Sequence, residues 1–331
     1  NKSLDALVAT ARLGQHPDSE FFNPSDEWLV DKMKIFQRLP SGCKNELLKE
    51  SSRIQSEIAN AEKINKASTR AGPEIVVELD RGGLAFFSQL GVARRPDLTH
   101  YFVDGFTPNR DALTFNEENQ ELFVEVINAI TKYMDDQFNK GDTVLQTDRR
   151  IGDAPGRSFH ARQLVVGSRF LQLPYMWRQL TFDMKESDMR NPPDILEISL
   201  PDWLDNLDIS KDLRKKIQTA GLTQLIFKAP TKGLSLHLGF DYAGEHKMGP
   251  LSIAMFLVKQ SGGLAVQASL SVARVRSLEG NLKNTALVTL GPSLHGKSTL
   301  TIMIELAGSK LAKQLGLAND KAEGIYPMND D

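Results

Sequence analysis

Cysteine is almost missing from the 331-residue sequence: Cys43 stands alone, which excludes an intramolecular disulfide framework and fits a reducing compartment. Its one basic neighbour is Lys44, with no histidine nearby in sequence, so nothing marks it as a nucleophile. An excess of one charge is missing too. The 40 Lys and Arg stand against 42 Asp and Glu, a formal charge of −2, which argues against nucleic acid or an anionic membrane as the main partner. No apolar run is long enough to span a bilayer, and the opening Asn1-Lys2-Ser3-Leu4-Asp5 lacks the apolar stretch of a secretory signal. Internal repeats, low-complexity segments and metal-type Cys or His spacings are all absent from the sequence. What is present is an ordinary globular composition, 40% hydrophobic and 25% charged. The expectation is a soluble, cytoplasmic protein with length enough for two domains.

The first 140 residues read as helix-rich. Leu29, Met33 and Phe36 recur at helical spacing behind Pro24-Ser25-Asp26-Glu27, with Ser25 as candidate cap. Residues 44–66 hold no Gly or Pro and read as a long solvated helix. Residues 74–79 form a β-branched run closed by Arg81-Gly82-Gly83, a strand signal. Over 116–138, Leu122, Val126, Ile127, Ile130 and Met134 mark one side of an amphipathic helix. From Thr143 onward, short strands alternate with turns and helices. Strands are expected at 143–146 and 163–166 around a polar loop over 148–161, then at 224–228, 234–240, 264–272 and 286–290. A helix capped by Ser210 is expected to end at Gly221. This predicts a helix-rich region over 1–140, a substrate-binding α/β region over 141–230, and the start of a nucleotide-binding domain over 231–331. The last boundary falls near Ala229-Pro230-Thr231-Lys232-Gly233.

One motif is strong. Gly291-Pro292-Ser293-Leu294-His295-Gly296-Lys297-Ser298-Thr299 fits Gly-x-x-x-x-Gly-Lys-Ser/Thr. The spacing suits the chemistry: a glycine-bounded loop turns successive N–H groups toward phosphate oxygens, the following helix adds its positive end, Lys297 reaches the β- and γ-phosphates, and the Ser298 hydroxyl can ligate Mg²⁺. A chance match in a chain of this length has a probability of roughly 1%. The context agrees, because residues 284–290 read as a buried strand and 299–316 as a helix. Gly291, Ser293, His295, Gly296, Lys297, Ser298 and Thr299 are therefore the candidate nucleotide-binding residues. Too few residues follow Thr299 to complete an ordinary nucleotide-binding domain, so the sequence is expected to be part of something longer. Asp330 and Asp331, after a strand-like run at 324–328, are either a metal-binding acidic element or a solvated tail.

Upstream, Tyr242-Ala243-Gly244-Glu245-His246-Lys247-Met248-Gly249 resembles the Tyr-x-Gly-Glu-x-Lys-Lys-Gly segment of the ATP-dependent phosphoenolpyruvate carboxykinases. A helix-like stretch over 250–260, the strand around Gln267 and the loop at Gly291 follow in that family's order. Pro155-Gly156-Arg157-Ser158 is similar to the family's carboxylate-binding turn. The resemblance covers residues 143–331 and implies an α/β protein of this family's type: mixed sheets, a phosphate-loop nucleotide-binding domain and, here, a helical N-terminal extension. It implies that Arg157 holds a substrate carboxylate, for which a planar guanidinium fork is suited. Tyr242 would line the substrate pocket, and Lys247 would place positive charge near the reacting oxygens. Lys247, Lys297 and Arg157 are thus the candidate catalytic residues, and Ser298 with Asp330 or Asp331 the candidate metal ligands. ATP and Mg²⁺ are the implied cofactors, and a nucleotide and a small anion the implied partners.

Three positions depart from the family. Its second Lys, a transition-metal ligand, falls on Met248, and its ligand His falls on Gln267. A thioether and a neutral amide do not replace an amine and an imidazole around Mn²⁺; His246 is the candidate replacement. The middle glycine of the family's loop is Leu294. These departures favour an ATP-dependent phosphotransferase acting on a small carboxylate or other anion. The alternatives are a true carboxykinase converting oxaloacetate to phosphoenolpyruvate and a nucleotide-binding regulatory protein without catalysis. Arg149, Arg150, Arg157, Arg162 and Arg169 with His160 suggest an anion pocket on the 148–161 loop. His237, alternating with Leu236 and Leu238, reads as structural, and Trp28, Trp177 and Trp203 as core.

Overall fold

Helix α1 (Lys2–Leu13) starts the chain, and α2 (Asp26–Lys32) starts where the Ser25 side chain accepts the Trp28 N–H, the expected cap. Strands β1 (Ile35–Leu39), β2 (Ile75–Leu79) and β3 (Leu84–Phe87) form a small sheet in that order. Then come β4 (Thr99–Val103), β5 (Ala112–Thr114), α3 (Glu117–Lys140), β6 (Val144–Ile151) and β7 (Phe159–Val166). They are followed by α4 (Gln172–Leu180), β8 (Ile195–Leu200), α5 (Trp203–Asn206), α6 (Lys211–Thr219), β9 (Gln224–Ala229), β10 (Leu234–Leu238) and α7 (Ala243–Gln260). Strands β11 (Ala268–Arg276), β12 (Leu282–Leu290) and β13 (Gly324–Asn329) end the list. The structure is a computed structural model and describes residues 2–33, 35–39, 75–79, 84–87, 98–105, 112–114, 117–141, 143–154, 156–167, 170–187, 191–291, 296–297 and 324–329. Cys43, Arg169 and the expected helices over 44–66 and 299–316 lie outside the described residues. Among those described, no helix is long and apolar enough to cross a membrane.

The chain divides into two compact units, Asn1–Leu257 and Val258–Asp331. The first is built on a seven-stranded mixed sheet of order β5-β4-β9-β10-β8-β7-β6. Strands β9 and β10, and β6 and β7, run antiparallel, whereas β8 lies parallel to both β7 and β10. The expected boundary near residues 229–233 is instead the tight connection between β9 and β10, neighbours in this sheet: Pro230–Lys232 make one 3₁₀ turn, and Gly233 closes it at φ +72°. The first 140 residues, read as helix-rich, hold five strands beside three helices among those described.

Strand alternation sorts the faces of the large sheet. Val144, Leu164, Leu196, Ile198, Phe227, Leu234 and Leu236 are fully buried in one cluster with Leu4 and Leu7 of α1 and with Phe123, Ile127, Ile130 and Met134 of α3. The apolar positions read on the 116–138 helix are thus its core face. Leu213 and Ile217 of α6 join the same cluster, with Trp203 of α5. Side chains on alternate strand positions face the opposite way. Leu145 and Val165 pack with Leu29 of α2, and Ala161 and Ile195 with Trp177 of α4 and Ile253 of α7. The middle of this second face is polar. Thr147, Gln163, Glu197, Ser235 and Lys228 occupy paired positions across β6, β7, β8, β10 and β9. Gly249 lets α7 close on this row, since a Cβ there would stand 2.4 Å from His237 Nε2 and 2.6 Å from Ser235 Oγ.

The polar loop expected over 148–161 is mostly strand. Pairing of β6 with β7 runs from Val144–Val166 to Ile151–Phe159, which leaves only residues 152–158 as the turn. Polar side chains suggested a loop, but their partners are built in. Arg149 donates to Asp183 and to the carbonyls of Arg178 and Thr181, and Arg150 to Asp153 Oδ1 and Asp183 O, both at 2.7 Å. Arg162 clasps Asp148. These three arginines are buried clamps engaged with the protein itself, which leaves Arg157, among the described arginines of the expected anion pocket, as the exposed one.

In the second unit, β11 pairs antiparallel with β12 and with β13. The strand expected at the phosphate loop is present, but its buried character is not: Leu287, Val288 and Leu290 are exposed. Strand β12 is hydrogen-bonded to β11 and, among the described residues, to no other strand.

Candidate functional site

The segment singled out upstream of the phosphate loop forms the start of α7. Glu245, its acidic residue, accepts the Tyr101 hydroxyl of β4 at 2.6 Å. Its charge also acts on Lys228 of β9, whose ammonium burial pushes below the usual lysine value while Glu245 draws it back. Lys228 Nζ donates to Ser252 Oγ of α7 at 2.8 Å. Glu245 and Ser252 therefore tie the helix to the sheet. Tyr101→Phe removes a donor to a charged acceptor and is expected to lower stability by about 1.5–3 kcal/mol, read from thermal unfolding; an unchanged midpoint would contradict the tie.

Tyr242, directly before this helix, and Lys247, on its first turns, are two of the candidate substrate residues, and both are half-buried. The Tyr242 carbonyl accepts His246 Nδ1–H at 2.8 Å. Arg157 lies on the turn between β6 and β7, exposed, with its N–H donating to Ala154 O at 3.0 Å. It makes no hydrogen bond to Tyr242 or Lys247. In the second unit, Gly291 follows directly on β12, Gly296 has φ +80°, and Lys297 is helical and buried. Ser293, His295, Ser298, Thr299, Asp330 and Asp331 lie outside the described residues.

His246 does not supply the ligand lost at Met248. Its ring is turned into the sheet, 2% exposed, where Nε2 meets Ser199 Oγ at 2.7 Å. It stacks on His237 with ring centroids 4.7 Å apart. His237 Nε2 meets Ser235 Oγ at 2.8 Å and lies 3.7 Å from Glu197 Oε1. All three side chains are fully or almost fully buried. Burial pushes the Glu197 carboxyl well above the usual carboxylate range, a rise only partly countered by Gln163 Nε2 donating to Oε2 at 2.9 Å. Burial likewise holds His237 well below the usual histidine value, helped by the charges of His246 and Lys228, and brings His246 to about 4. The sequence reading did not select Glu197. Its signal is a lone carboxylate at the centre of Ile195-Leu196-Glu197-Ile198-Ser199-Leu200, an otherwise buried strand.

The family model described as phosphoenolpyruvate carboxykinase matches residues 56–311. With the fold and motif order above, the chain belongs to the ATP-dependent phosphoenolpyruvate carboxykinase family. None of the curated proteins compared matches it. This family works with ATP and a divalent metal. The residues here do not fit its transition-metal donors, because Met248 presents a thioether from α7 and Gln267 a neutral amide just before β11.

Proposed function

We propose that the chain is an ATP-dependent phosphotransferase acting on a small carboxylate or a related anion. The observation that carries this reading is the single family match that takes in the Arg157 turn, α7 and the phosphate loop together. Arg157 offers an exposed guanidinium fork to a carboxylate. Tyr242 would line the acceptor pocket, and Lys247 would orient the attacking oxygen. Lys297, following the left-handed Gly296, would offset charge gathering on the γ-phosphoryl group. Gly291, Ser293, His295, Ser298 and Thr299 would complete the phosphate cradle. Mg²⁺ would arrive with ATP and be held on the protein side by Ser298 and by Asp330 or Asp331. Catalysis would then be positioning and charge neutralisation. The thioether at Met248 and the amide at Gln267 place phosphoryl transfer ahead of full carboxykinase chemistry.

The test supplies ATP and Mg²⁺, with and without Mn²⁺, to the protein with oxaloacetate and with a panel of small mono- and dicarboxylates. Carboxylate-dependent ADP formation without CO₂ release is the expected result. Phosphoenolpyruvate and CO₂ from oxaloacetate would instead identify a working carboxykinase. Bound ATP with no turnover on any anion would overturn the enzymatic reading in favour of a nucleotide-binding regulatory protein.

A further inference from the structure

Beneath α7, we infer that Glu197, His237 and His246, none of them assigned to substrate or nucleotide, form a buried binding site for a divalent cation of the zinc type. The three residues each present a ligand atom within 4.8 Å of the others. They come from three elements, β8, β10 and α7, so an ion there would pin the motif helix to the sheet. Two imidazoles and a carboxylate are a donor set well suited to Zn²⁺.

Two observations favour an ion over a purely protein network. Glu197 Oε1 is buried and has no hydrogen-bond partner, although Oε2 is satisfied by Gln163. A buried carboxylate oxygen left without a donor is costly, and a cation would remove that cost. His246 Nδ1 is hydrogen-bonded to the Tyr242 carbonyl, which can only accept, so Nδ1 carries the proton and Nε2 keeps a lone pair. That is the form of histidine a metal takes, with the second ring nitrogen anchored on a backbone carbonyl. Ser199 and Ser235 are the oxygen donors nearest the two imidazoles and can complete the coordination.

The site is distinct from the family's metal position, where Met248 stands, and does not rest on the proposed reaction. Its test therefore uses no nucleotide or substrate. The full chain is produced with Zn²⁺ or with Co²⁺, dialysed against a chelator, and assayed for metal content. One ion per chain should survive. The Co²⁺ form should show the visible absorption of a four-coordinate ion and shifted imidazole N–H proton resonances from two histidines. Glu197→Gln and His246→Gln should lower retention of Zn²⁺ by more than about 100-fold. A folded chain that retains neither ion, or variants that hold as much as the parent, would overturn the inference. If a variant fails to fold, the Co²⁺ spectrum of the parent protein decides.

Discussion

Replacing Arg162 by alanine is expected to lower the unfolding free energy by about 3–5 kcal/mol. Its Nε and Nη2 each donate to Asp148 at 2.8 Å, and both side chains are less than a tenth exposed. Nη1 reaches the carbonyls of Ala11 at 3.2 Å and Arg12 at 2.5 Å, at the end of α1. Those carbonyls have no intrahelical partner, and the chain then turns at Gly14 with φ +70°. Truncation therefore strands a buried carboxylate and uncaps a helix at once. Arg162→Lys keeps the charge but loses the fork, so it should fall between parent and alanine. Urea denaturation measures the loss, and an unchanged midpoint would refute the clamp. Acid adds a second reading. Burial raises the Asp148 carboxyl, but hydrogen bonds and charge from Arg162 and His160 outweigh it and leave it below the usual value. The unfolded chain thus takes up this proton first, and the stabilisation fades as pH falls below about 4. In Arg162→Ala the carboxyl loses its main support and burial is left to raise it, so this acid-dependent share of the stability should disappear.

Lys297→Ala should weaken ATP binding by roughly 30-fold to 1,000-fold, the equivalent of about 2–4 kcal/mol. The ammonium of a phosphate loop is a point charge set against several phosphate oxygens. Lys297 is only 7% exposed, so water would compensate poorly for its loss. Lys297→Arg retains the charge and should recover part of the affinity. Calorimetric titration with ATP and Mg²⁺ gives the numbers directly. Equal affinity in parent and alanine variant would remove Lys297 from the nucleotide site.

Local signals carried much of the fold. The Ser25 and Ser210 caps, the 3.6-residue pattern of α3 and the alternation along β10 all rest on interactions a few residues apart, and each appears where the sequence placed it. Family order singled out Tyr242, Lys247 and Lys297 as candidates. The arginines of β6 and β7 were misread for the opposite reason. Apart from Asp153, three positions from Arg150, the partners at Asp148, Asp183 and the end of α1 lie 14 to 151 positions away, and charge near a glycine turn looks the same whether it awaits a ligand or already has one. The role of Glu245 was hidden in the same way, since Tyr101 stands 144 positions upstream. His237 was legible only as a structural residue alternating with Leu236 and Leu238. What it faces depends on the parallel pairing of β8 with β10 and on the approach of Gly249, neither of which a linear pattern records.

The transverse line of Thr147, Gln163, Glu197, Ser235 and Lys228 has a consequence for assembly of the sheet. If one strand slid by a single residue, its member of the line would be thrust among the apolar side chains under α1 and α3. A slide of two would keep the face but part Gln163 from Glu197, leaving a carboxylate without its amide. Wrong alignments are thus penalised at several strands together, and the line serves as a key that only the correct stacking of strands can turn.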